Sequence, residues 1–277
     1  MSDPTSTRDR AAPIGVFDSG LGGLTVVRAL SRDLPLEQIV YLGDTARLPY
    51  GTKSAATVVR YALQSADVLL RHGIKYLVVA CNTASAHALP TLRERLPIPV
   101  LGVVEPGARL AAEVTGTGQV GVLGTLGVVA SAAYPRAMQQ IRPELAVFGQ
   151  ACPLLVPLAE EGWLHHPVTR QVVAHYLAEL QAQAGPVETL VLGCTHYPLL
   201  RQVISEQAAI VFGGAVRLVD SAEAAAAAAV AELSSRGLLA VERRAPDRFM
   251  FSDVSRFTLV AERFLGRPLG TAEHADL

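Results

Sequence analysis

Eight short apolar runs recur along the chain, and most are separated by longer stretches with helical periodicity. The runs are "PIGVFDSG" (13–20), "IVYLGDT" (39–45), "YLVVACN" (76–82), "IPVLGVV" (98–104), "QVGVLGT" (119–125), "LAVFGQAC" (145–152), "TLVLGCT" (189–195) and "VRLVDS" (216–221). Amphipathic patterns lie between them, such as Leu24–Leu34, Ser54–His72, Pro167–Ala184 and Ala222–Arg236. Strands rich in Val, Ile and Leu that alternate with helices must be buried on both faces, which predicts an α/β fold built on parallel sheets. The chain has 277 residues, half of them hydrophobic. That is enough for two domains of ordinary size, each with its own core.

A faint repeat sharpens this expectation. "IGVFDSGLGG" at 14–23 resembles "VGVLGTLGVV" at 120–129, and each is followed at a similar distance by a strand that ends in cysteine, Cys81 and Cys194. The reading is two similar α/β domains with the active site in the cleft between them. Residues 1–104 plus 218–277 would form a discontinuous first domain and 105–217 the second. The return to the first domain follows "VRLVDS", where Asp220 and Glu223 have the spacing of a helix capping box. Ligands of open α/β sheets bind at the carboxyl ends of the strands. Asp18, Asp44, Cys81, Thr125 and Cys194 all occupy such ends.

Other classes recede on composition. The net charge is −1, and no block of Lys or Arg argues for nucleic acid or an anionic membrane as partner. The opening "MSDPTSTRDRAAP" is polar and unlike a secretory signal. No apolar run approaches the roughly 18–20 residues of a membrane span. Three cysteines without a CxxC pair give neither a disulfide framework nor a zinc site. The expected compartment is the cytoplasm, where thiols stay reduced.

The cysteines carry the chemistry. A thiol ionises near pH 8.5 in the absence of perturbation, and a place between a strand end and a helix start is expected to lower that value. Asn82, Thr83, Thr195 and His196 add hydrogen-bonding groups beside Cys81 and Cys194. Cys152, followed by Pro153 and Leu154, is expected to be a small buried hydrophobe. Two thiols across a cleft suit inversion of a carbon centre: one base removes a proton from one face, and an acid delivers one to the other. His196 is placed to assist Cys194. "FDSGLGGLTVV" (17–27) puts Asp18 and Ser19 before a Gly-rich turn whose N–H groups can hold a carboxylate. The turn lacks the spacing of a dinucleotide fingerprint, and no GK[ST] follows. In "GDTARLPYGTKS" (43–54), Pro49-Tyr50-Gly51 reads as a rigid loop with an exposed aromatic.

Taken together, "GVFDSGLGGLTV", "YLGDTARLPYG", "ACNTAS" and "LGCTHYPLL", in this order from Ile14 to about Ala231, resemble the glutamate racemases of the aspartate/glutamate racemase family. The resemblance implies an isomerase without cofactor or metal that interconverts L- and D-glutamate and supplies D-glutamate for peptidoglycan. It also implies two α/β domains in a homodimer. By motif position, Cys81 and Cys194 would be the acid/base thiols, with Asp18 assisting the first, and His196 and Glu160 lying beside the second. Asp18, Ser19, Tyr50, Gly51, Asn82, Thr83, Thr125, Thr195 and His196 would bind the amino acid. One departure stands out. The family usually has a hydroxyl residue three positions after Thr125, and here Val128 occupies that place, leaving Thr125 or Ser131 to compensate. Aspartate racemases are the nearest alternative, but they usually carry an acidic residue where His196 stands. A two-domain binding protein would need the carboxylate-binding loops but not two opposed thiols.

Overall fold

The computed structural model of the chain describes residues 10–116, 118–254 and 258–277. The first part runs β1 (Ile14–Asp18), α1 (Leu24–Asp33), β2 (Ile39–Gly43), α2 (Ala55–Arg71), β3 (Tyr76–Val79), α3 (Asn82–Arg95), β4 (Val100–Gly102) and α4 (Val104–Val114). The middle part runs β5 (Gln119–Gly124), α5 (Leu126–Ser131), α6 (Ala133–Gln139), β6 (Ala146–Ala151), α7 (Leu155–Glu160), α8 (Pro167–Ala184), β7 (Thr189–Gly193), α9 (Arg201–Phe212) and β8 (Arg217–Asp220). The chain closes with α10 (Ser221–Ser235), β9 (Arg248–Phe251), α11 (Thr258–Leu265) and β10 (Ala272–His274).

The strands form two parallel sheets, in the orders β10-β9-β2-β1-β3-β4 and β6-β5-β7-β8. Ignoring β9 and β10, the two orders are the same, so the faint sequence repeat corresponds to a repeated topology. All eight expected strands form. β1, β2, β3 and β7 are buried along their whole length, as strands covered on both faces must be. β9 and β10 were not expected. "RFMF" is only four residues long and sits in a charged context; it becomes a strand because β2 offers an edge to pair with.

Helices cover both faces of the first sheet. α1 buries Leu24, Val26, Val27 and Leu30. Truncating one such buried leucine to alanine would cost about 2–5 kcal/mol. α2 starts where the Ser54 hydroxyl accepts from the Thr57 N–H, and it ends before Gly73, whose φ of +69° closes the turn. One core cluster runs continuously from β1 and α1, through Ala225 and Ala229 of α10, to Leu190 and Leu192 of β7. The two sheets are therefore packed into one body. Among the described residues, no helix is long and apolar enough to cross a membrane.

Candidate active site

β1 and β5 occupy the same place in their sheets, and so do β3 and β7. Asp18 ends β1, Thr125 follows β5, Cys81 follows β3 by two residues, and Cys194 follows β7 directly. The Gly-rich turn after Asp18 is where the two sets of loops meet. A β-carbon on Gly22 would collide with the Thr195 hydroxyl and His196 Nδ1, so only glycine allows this approach. Thr25 Oγ1 lies 2.9 Å from the Gly22 carbonyl oxygen and 3.1 Å from that of Thr195, tying α1 to the loop after β7.

Cys81 is the N-cap of α3, and its sulfur accepts from the Ala84 N–H at 3.5 Å. The helix N-terminus pulls on the thiol as the sequence predicted, but the net shift is upward. Burial pushes the thiol up to about 12, with the nearby Asp18 carboxylate adding to the rise, and the Ser19 hydroxyl and the Ala84 N–H offset only part of it. Asp18 is itself fully buried, and burial raises its pKa despite N–H donors from Gly23, Gly20 and Ser19 and the charge of His196.

Cys194 has different neighbours. A short 3-10 turn, Tyr197–Leu200, intervenes before α9, so this thiol does not cap an α-helix as Cys81 does. His196 serves it instead. Its Nδ1 lies 3.8 Å from Cys194 Sγ, and its Nε2 lies 2.9 Å from Glu160 Oε1. Nε2 faces a carboxylate acceptor, while the direction of the Nδ1–Sγ contact follows the protonation of the ring and the thiol. Burial opposes the charge, but the bonds to Cys194 and Glu160 outweigh it and push His196 up to about 10.

The loop after β2 is organised by Asp44, a fully buried carboxylate. It accepts from Tyr50 Oη at 2.5 Å, from Arg47 Nε at 2.7 Å and from Ser252 Oγ at 3.0 Å. Tyr50 is therefore buried rather than exposed as the sequence suggested: its ring packs against Phe17 and Tyr61, and its hydroxyl has a partner. The loop brings Gly51 against Thr125, and the Thr83 and Thr125 hydroxyls meet at 2.9 Å. Asn82 accepts from Tyr134 Oη at 2.7 Å.

These groups enclose a cavity of about 180 Å³. Ser19, Tyr50, Gly51, Cys81, Asn82, Thr83, Thr125, Glu160, Cys194, Thr195 and His196 all line it. Asp18 is the one nominated residue outside the lining; it is fully buried, and its Oδ2 accepts from the Gly20 N–H at 2.9 Å. Gly20, Leu48, Pro49 and Val156 complete the wall. The first three lie inside motifs the sequence singled out, whereas Val156 carried no signal because an apolar residue on a short helix looks like core. Val128 is buried in an apolar cluster with Tyr134 and Met138. Ser131 does not compensate for it, since its hydroxyl bonds the Val128 carbonyl at 2.7 Å and accepts from the Ala133 N–H at 3.1 Å. Cys152 is fully buried outside the cavity, with its sulfur 3.5 Å from the Gln150 carbonyl oxygen. Among the described residues, no group of three or more His, Cys, Asp or Glu side chains is arranged to hold a metal ion.

The chain as a whole is similar to known racemases. The glutamate racemase of Geobacter metallireducens is 52% identical over 267 residues, covering 95% of this chain and 96% of that protein. The crystal structure of glutamate racemase from Francisella tularensis in complex with D-glutamate matches with a TM-score of 0.88 at 35% identity, over 96% of this chain and 98% of that one. That of the Thermus thermophilus enzyme in complex with β-chloro-D-alanine matches with a TM-score of 0.85 at 47% identity, over 97% and 98%. The model of the Asp/Glu/hydantoin racemase family matches residues 24–229, and the chain belongs to that family.

Proposed function

We propose that the chain is a cofactor-independent glutamate racemase in which Cys81 and Cys194 are the two acid/base groups. The observation that carries this reading is that both thiols line one small cavity together with hydroxyl, amide and imidazole groups from both sheets. The cavity is smaller than the roughly 300–1,000 Å³ of pockets for drug-sized ligands, as suits a free amino acid. A thiolate on one side breaks the Cα–H bond and takes the proton, the electron pair stays on the substrate as a carbanion conjugated with the carboxylate, and the opposite thiol gives its proton to the other face. Each turnover leaves the two protonation states exchanged, so the next turnover in the same direction needs proton exchange with solvent. Asp18 serves Cys81 in that exchange, and His196 with Glu160 serves Cys194. Ser19, Gly51, Asn82, Thr83, Thr125 and Thr195 hold the substrate, and buried Tyr50 fixes the loop that presents Gly51.

The wider reading includes supply of D-glutamate for peptidoglycan, a cytoplasmic location and a homodimer. It divides the chain into residues 1–104 plus 218–277 and residues 105–217; the addition of β9 and β10 to the first sheet supports the discontinuous part.

The test is isotopic. L-Glutamate is racemised in deuterium oxide and followed over the first few per cent of reaction. D-Glutamate formed in that interval is expected to carry deuterium at the α-carbon, while unreacted L-glutamate keeps its hydrogen. Substantial protium in the early D-product would indicate a single base serving both faces. No racemisation of glutamate, with aspartate turned over instead, would replace the substrate assignment.

A further inference from the structure

Glu160 is the last residue of α7, a helix of six residues. A helix that short has little stability of its own, so something else must hold its end. Arg263 Nη1 lies 2.6 Å from the Glu160 carbonyl oxygen and 3.4 Å from that of Ala159. A guanidinium there satisfies carbonyls that the helix leaves unpaired. Arg263 comes from α11, which follows β9 of the first sheet and packs against α1. The next residue, Phe264, is buried and meets the His196 ring edge-on, with centroids 4.9 Å apart and planes at 74°. Two consecutive residues of α11 therefore touch both members of the Glu160–His196 pair. Gly162, with φ of +77°, makes room for the clamp, since a β-carbon there would strike the guanidinium carbon at 2.6 Å.

We infer that Arg263 is a positioning residue, which holds Glu160 within reach of His196 and so sets the state of the imidazole that serves Cys194. This rests on the racemase reading only for its catalytic consequence. A role in proton transfer at one thiol predicts an effect that a general packing role does not: the two directions of turnover should suffer unequally. The titratable and charged groups around His196 are Cys194, Glu160, Asp18 and, from α11, Arg263; the ring's raised affinity for its proton comes first from the bond to Cys194 and then from that to Glu160, which is the part a displaced Glu160 would lose.

The experiment uses the full chain with Arg263→Met, which keeps the aliphatic stem but removes the donors, and Arg263→Lys, which restores one cationic donor. Turnover numbers are measured from L- and from D-glutamate, and His196 is titrated by NMR of protein labelled at the histidine ring. Arg263→Met is expected to lower the two turnover numbers by different factors, the larger up to about 100-fold, the scale of a misplaced catalytic group. The His196 midpoint should move down from near 10, and Arg263→Lys should recover much of both effects. Equal losses in both directions with an unmoved His196 midpoint would reduce Arg263 to packing, and unchanged turnover and titration would remove the role altogether. A wild-type protein that does not racemise glutamate would sink the function above, while the titration still decides whether Arg263 governs His196. If Arg263→Met fails to fold, Gly162→Ala displaces the guanidinium without removing it and is read by the same titration.

Discussion

Cys81 and Cys194 follow equivalent strands of two sheets that share a four-strand order, yet their surroundings differ in almost every respect. Cys81 caps a long helix and has a buried carboxylate for a neighbour. Cys194 precedes a 3-10 turn and has a buried imidazole held by a glutamate. Burial dominates at Cys81 and pushes the thiol up to about 12, with Asp18 adding to the rise. At the other site burial opposes the charge of His196, but its bonds to Cys194 and Glu160 outweigh that and raise its affinity for a proton. Repeated topology thus supplies two thiols, and local side chains give them unlike protonation environments. In a two-base racemisation one sulfur is ionised while the other is not, and the roles reverse with the direction of reaction.

The comparison can be broken at several points. The most severe is removal of either sulfur. Cys81→Ala and Cys194→Ala should each reduce racemisation by at least about 10³-fold, since a general acid or base supplies roughly 10²–10⁴ in rate and here both are needed in either direction. An assay of optical rotation with either variant retaining even a tenth of wild-type activity would end the two-thiol account.

The next effect is smaller and sharper. His196→Asn removes the partner of one thiol and should lower the turnover number of one direction by roughly 10²-fold and of the other by much less. Asp18→Asn should bias the opposite direction. Michaelis constants must compensate, because the ratio of the two specificity constants is fixed by an equilibrium near one for enantiomers. Initial rates from each enantiomer decide it: equal factors for both directions would mean that the neighbours are not side-specific.

The smallest effect is on stability against pH. The bonds to Cys194 and Glu160 push His196 up from about 6.5 to about 10 on folding, so the folded state should hold an extra proton between those values. Its contribution is complete below about pH 6.5 and disappears as pH rises through 10. Stability should therefore fall over that window, and Glu160→Gln or His196→Asn should flatten the fall. Cys81, whose proton is also held more tightly in the fold, steepens the decline above pH 9 in wild type and variants alike. Thermal melts at pH 7, 8.5 and 10 would show it, and parallel curves for wild type and Glu160→Gln would refute the pairing.

The strands and the two thiols were legible in the sequence for different reasons. Apolar runs buried on both faces have no other stable arrangement in water than strands inside a helical wrapping, which is why all eight expected strands form. β9 escaped notice because four residues carry too little pattern, and only the free edge of β2 makes them a strand. Tyr50 was misread because a Pro-Tyr-Gly segment does not reveal that a buried Asp44 waits for the phenol. The expected lowering at Cys81 failed for a similar reason: a helix start is a local feature, whereas burial and the approach of Asp18 belong to the packed molecule.

By itself, the sequence determined the α/β class, the repeat, and which residues stand at strand ends, because these depend on local periodicity and on the short range of a turn. Only the tertiary structure decided what those ends become. It closed the two sets of loops over one cavity, buried Asp18 outside its lining, left Ser131 occupied, and brought α11 from the end of the chain onto Glu160 and His196. Such contacts join residues far apart in the chain, and their energies depend on desolvation and mutual distance, quantities that exist only once the chain is folded.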